Sequence, residues 1–88
     1  MDDWMRILLG KSLAREDGRL SDTFMSASGN FYYVDSNNTW DHGYETMVFA
    51  CDSEGNVTSW AELDVMLYDS LEEMQAGHKA MVEKWKAR

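Results

Sequence analysis

The sequence predicts an α+β domain: a small antiparallel sheet of three or four strands with N- and C-terminal helices packed on one face. Two alternating stretches around a turn predict the sheet, and a capped amphipathic run predicts the main helix. Residues 44–51 place Met47, Phe49 and Cys51 on one face and Tyr44, Thr46, Val48 and Ala50 on the other. Residues 52–56 form a polar loop in which Gly55 can supply positive φ. Residues 57–68 then alternate again, with Ala61, Leu63, Val65 and Leu67 opposed to Glu62 and Asp64. Ser70-Leu71-Glu72-Glu73 has the S-x-x-E form of a capping box. Behind it Leu71, Met74, His78, Met81, Val82 and Trp85 recur at three- and four-residue steps. The 88 residues make a single domain, 1–88, near the lower size limit for folding without disulfides or a metal.

Taken in order, residues 3–16 read as a short helix. Met5, Leu9 and Leu13 are four apart, and Asp2 and Asp3 sit where the helix dipole favours negative charge. Gly18 is placed to end it. Residues 20–27 have the look of a strand, Ser28-Gly29-Asn30 of a turn, and Phe31-Tyr32-Tyr33-Val34 of a second strand rich in β-formers. Residues 35–43 read as a polar loop around Trp40. That indole is either a plug folded back on the core or an exposed contact; the burial habit of large aromatics favours the plug. In the return strand Trp60, Met66 and Tyr68 fall with Glu62 and Asp64. The helix stripe is expected to meet the Ala61/Leu63/Val65/Leu67 face, and Lys84, Lys86 and Arg88 suit the negative end of the helix dipole.

Composition narrows the function. A net charge of −8 is unevenly spread: no Lys or Arg lies between Arg19 and Lys79. A surface of one sign repels phosphate and attracts basic partners, so direct binding of nucleic acid or anionic membrane is not expected. A lone cysteine, Cys51, suits a reducing compartment, and Asp2-Asp3 has the wrong sign for a secretion signal. A cytoplasmic location follows as the expectation, and no apolar run approaches the roughly 20 residues of a membrane span.

Candidate chemistry is sparse. His78 lies on the apolar stripe one residue after Gly77, a setting that suits a packed histidine with a hydrogen-bonded ring. His42 stands beside Asp41 and near Asp35, without the ligand spacing of a metal site. Cys51 shares its face with Met47 and Phe49 and reads as an inert buried thiol. There is no glycine-rich phosphate loop, nucleophile elbow or H-E-x-x-H, so neither catalysis nor a cofactor is expected.

The run Glu45-Thr46-Met47-Val48-Phe49, the turn ending at Gly55, Glu62-Leu63, Tyr68, Glu72-Glu73, Gly77-His78 and Met81-Val82-Glu83 resembles a group of small phage and prophage proteins without assigned activity. The likeness spans residues 44–85 and implies a phage-encoded accessory protein acting in the host cell. Together with the acidity it leads to two expectations. The first is an inhibitor that binds a basic host protein, such as a nucleic-acid-handling defence enzyme, as a nucleic-acid mimic. The second is a phage structural or assembly component acting through homo-oligomeric contacts. The expected partner-binding residues are Trp60, Glu62, Asp64, Met66, Tyr68 and Trp40, aromatic or Met anchors combined with acidic groups.

Overall fold

Residues 18–40 and 42–88 are described by the structure, a computed structural model. Leu20–Met25 (β1), Phe31–Thr39 (β2), Gly43–Cys51 (β3) and Asp64–Tyr68 (β4) form one sheet, and Leu71–Lys86 (α1) follows. Strand order is β1-β2-β3-β4 with every neighbouring pair antiparallel. The α+β class and the C-terminal helix agree with the sequence. The helix expected over residues 3–16 lies outside the described residues.

Two strands differ from expectation. The polar run expected as a loop over residues 35–43 is mostly strand: β2 continues to Thr39, and the reversal is confined to the residues before Gly43. Asp35 and Ser36 are tolerated there because each finds a partner. Ser36 meets Thr46 across the ladder, and Asp35 accepts a hydrogen bond of 2.9 Å from Arg19 Nε. Strand propensity gave way to cross-strand context. β4, conversely, is shorter than the alternation of residues 57–68 suggests. Asp52 Oδ1 accepts from the backbone N–H groups of Glu54 and Asn56, each at 2.9 Å, and Gly55 takes φ +86° to close the turn. The chain then makes one bridge, Cys51 to Val57, and leaves the sheet until Asp64. An uninterrupted ladder would set Met47 against Ala61; the observed register sets it against Val65. The excursion carries Trp60 over the face away from the helix, where its ring meets Phe49 edge-on at 5.1 Å.

The core lies between α1 and the opposite sheet face. Val34 and Val48, cross-strand partners, are buried with Met81, Val82 and Trp85, and Phe24 and Tyr32 pack against them. Burying the helix's apolar residues at about 1.5–3 kcal/mol each outweighs its intrinsic propensity. β4 turns Asp64 and Tyr68 toward α1. The expected docking of the helix stripe on Ala61, Leu63, Val65 and Leu67 is therefore overturned: all four are exposed, outside this core. The period was right and the face was reversed, because the stripe carries His78 and Trp85, whose ring N–H groups need acceptors. Leu71, counted in the stripe, is 38% exposed, whereas Met74, His78, Met81, Val82 and Trp85 are buried.

Both helix ends are satisfied from outside the helix. Ser70 Oγ accepts the Glu73 N–H at 3.1 Å, and Glu73 Oε2 accepts from the Asp69 N–H at 3.0 Å, one residue before the cap itself. At the far end the N–H groups of Ala27 and Ser28, in the β1–β2 turn, donate to the main-chain oxygens of Lys86 and Arg88 at 2.8 and 2.9 Å. Between the ends, Gly77 admits the Tyr68 ring so closely that a Cβ would collide with it. Gly77→Ala should therefore destabilise the wild type, although alanine is the better helix former. In a Tyr68→Ala background the same change should stabilise by about 1 kcal/mol, as the propensity difference emerges unopposed. Denaturant melts of the double-mutant cycle check this; a stabilising Gly77→Ala in both backgrounds would remove the close-approach role.

Candidate protein-binding surface

His78 is the polar centre of the helix-to-sheet joint. Its ring is 1% exposed, with Nε2 2.8 Å from Asp22 Oδ2 on β1 and Nδ1 2.6 Å from Ser36 Oγ on β2. Ser36 in turn meets Thr46 Oγ1 on β3. An ionised Asp22 can only accept, so Nε2 carries a hydrogen; in the neutral ring Nδ1 accepts from Ser36, which accepts from Thr46. The expected packed histidine is thus present, with both ring nitrogens engaged rather than one. Asp, His and Ser are also the residues of a nucleophilic relay, but Ser36 is fully buried and lies on Nδ1, the nitrogen that such relays give to the carboxylate. The trio joins layers and offers no exposed hydroxyl.

Asp64 forms a second joint. Its Oδ2 accepts from Lys84 Nζ at 2.8 Å and from Trp85 Nε1 at 3.0 Å, and Oδ1 accepts the Val65 N–H at 3.0 Å. The Lys84 hydrogen bond, ahead of the Trp85 one, holds the carboxyl below its usual 3.8 against the opposing effect of burial. Tyr68 lies over Gly77, and Met66 is exposed between the two. Three of the six expected contact residues therefore sit on the helix-facing side of β4, with Asp64 and Tyr68 committed to holding α1.

The other three lie elsewhere. Trp40, at the β2–β3 reversal, is 98% exposed, which overturns the expectation of a plug. Trp60 is 71% exposed and Glu62 is exposed, both in the excursion before β4. Around them the sheet face away from the helix supplies what the sequence reasoning missed. Glu45, Met47, Val65 and Leu67, with His42 and Glu62, line an open cleft of about 440 Å³. Pairings of Met47 with Val65 and Glu45 with Leu67 bring these groups together. The signal was present in the alternation: odd-numbered residues of both stretches share one face, and Glu45 belongs with Met47 and Phe49. The cleft combines the exposed apolar side chains of Val65 and Leu67 with a buried carboxylate, Glu45, and an exposed one, Glu62. Glu45 Oε1 lies 3.5 Å from Thr39 Oγ1, and Glu45 Oε2 lies 3.6 Å from His42 Nδ1. Leu63, also exposed, precedes β4 on the same excursion.

The remaining candidates separate. His42 turns to Glu45 while Asp35 turns to Arg19, and Asp41 lies outside the described residues. Among the described residues no cluster of three or more His, Cys, Asp or Glu is placed to hold a metal. Cys51 is buried, and burial, then Asp52, pushes its thiol up and away from reactivity. No helix among the described residues is long and apolar enough to cross a membrane. No protein-family profile, curated protein or solved structure matches the chain.

Two outcomes follow from the joints. His78→Gln should cost about 1–3 kcal/mol, because one amide cannot replace bonds to both Asp22 and Ser36. A calorimetric melt equal to wild type would remove His78 from the centre of the fold. Asp64→Asn should cost about 1 kcal/mol at neutral pH. A depressed folded-state carboxyl contributes stability above its unfolded value and loses it as pH falls through the folded one. The gap between wild type and variant should therefore narrow below about pH 4, and a gap independent of pH would exclude the Lys84 pairing as its source.

Proposed function

We propose that the chain is a non-catalytic binding domain whose open sheet face docks on a basic protein surface. One observation carries this reading: the exposed apolar group of Trp60, Val65 and Leu67 beside Glu62, on the face that α1 leaves uncovered. An apolar centre inside a charged rim is the anatomy of a protein interface. The net charge of −8 selects the sign of the partner, since it steers cationic surfaces inward and repels phosphate. Likeness to small phage proteins supports a phage-encoded inhibitor working in the host cytoplasm. Its target would be a basic, nucleic-acid-handling defence enzyme, with the acidic rim standing in for phosphates. Asp64 drops out of the contact set because its carboxylate is engaged by Lys84 and Trp85.

The test is capture of partners from host lysate, identification by mass spectrometry, and affinity measurements at low and high salt. Glu62→Lys should slow association and flatten the salt dependence, with the fold intact by circular dichroism. Trp60→Ala should weaken binding about tenfold or more at either salt, because its contribution is apolar. Affinity and salt slope unchanged in both variants would end the open-face reading. Altered self-association instead would favour an assembly component built from copies of this chain.

A further inference from the structure

β4 is the end of the sheet order: β3 pairs with one side of it, and among the described residues no strand pairs with the other. An edge strand turns a row of N–H and C=O groups outward, and soluble proteins usually protect such a row with lysine, proline or a covering element. Asp64–Tyr68 carries no such lysine or proline, and its single charge is engaged by α1. Its apolar residues are exposed on both sides instead: Val65 and Leu67 toward the open cleft, Met66 toward the helix. On the helix side a second cleft of about 210 Å³ is lined by Met66, Tyr68, Gly77, Ala80, Met81 and Lys84, the last paired with Asp64. A strand laid beside β4 would send successive side chains alternately to the two clefts, which is the period-two spacing that strand addition uses.

From this edge we infer that β4 receives an extended segment of the partner protein as a further strand, an apolar stretch flanked by Lys or Arg. The charges at the two ends of β4 choose that occupant. Glu62 stands exposed at one end and Asp69 and Glu72 at the other, so basic flanks are drawn to both. A second copy of this chain pairing antiparallel through β4 would bring Glu62 near the other copy's Asp69, like against like. The inference rests on the proposed binding role and names how the partner is held. Backbone hydrogen bonds supply affinity that tolerates sequence, and the two clefts select side chains.

The full chain, isotope-labelled, is titrated with the synthetic peptide Lys-Arg-Val-Thr-Val-Thr-Val-Arg-Lys while amide exchange is followed by NMR. Because the Val65 N–H is already bonded to Asp64 Oδ1, the readout is the outward amides among Met66 and Leu67, whose exchange should slow at least about tenfold, with affinity falling as salt rises. The counterpart with Glu and Asp flanks should bind at least about tenfold more weakly, and N-methylation throughout the central stretch should abolish the protection. No protection by the basic peptide, or equal protection by the acidic one, overturns the inference. So does an edge already protected in the free chain: protection that rises with chain concentration assigns it to a second copy, and concentration-independent protection to residues 1–17. Met66→Lys separates this inference from the face reading. A captured partner sensitive to Trp60→Ala and Glu62→Lys but indifferent to Met66→Lys leaves the face reading standing and ends the edge one.

Discussion

Everything in this fold depends on where a buried imidazole can find two hydrogen-bond partners. His78 sits at the middle of the one amphipathic helix described, on its dry side, and cannot be left unsatisfied there without losing a few kcal/mol. The sheet has two faces, and only one offers Asp22 and Ser36 at positions the ring can reach together. That requirement fixes which face of every strand turns inward, since each strand's alternation is locked to its neighbour's by register. Hydrophobic burial then supplies most of the stability, through Val34, Val48, Met81, Val82 and Trp85, but it does not by itself choose the face. Asp64 repeats the arrangement on the same face, at the sheet's β4 edge, by accepting the Trp85 indole hydrogen.

The consequence for function is a division between faces. The side with the buried hydroxyls of Ser36 and Thr46 and the carboxylates of Asp22 and Asp64 is taken up by α1, whose His78 and Trp85 bond to it. The more apolar side, with Tyr33, Phe49, Met47, Val65 and Leu67, is left to be covered by the excursion before β4 and by whatever binds. Phe49 is closed over by Trp60 and Tyr33, while Val65 and Leu67 remain exposed. A binding face of this kind is a by-product of satisfying the core's polar groups first.

This explains what could be read from the sequence and what could not. The capping box at Ser70, the helix stripe, the turn at residues 52–56 and the strand over β3 all follow from local chemistry, and local chemistry is what a sequence displays. The length of β2 does not, because Asp35, Ser36 and Asn37 look like loop residues until their partners Arg19, Thr46 and Glu45 come across from other segments. The direction of β4 does not either. Alternation gives the two faces of a strand but not which is inside, and the larger apolar set misleads when the helix brings a histidine. The candidate site is half legible for the same reason: Trp60 and Glu62 stand out by type, while Val65 and Leu67 read as part of the face that meets the helix and instead lie outside the core.

The meander order also has a kinetic side. Each strand pairs with the next in sequence, so the sheet can assemble from short-range hairpins whose loop closures cost little entropy. The bond from His78 to Asp22 closes a separation of 56 residues, and it cannot form until the last described element has been made. Until α1 is in place, Asp22, Ser36 and Thr46 lack its imidazole and Val34 and Val48 lack its apolar cover. Helix docking is what commits that sheet, and the interval before it is when the nascent protein is most open to chaperones and proteases.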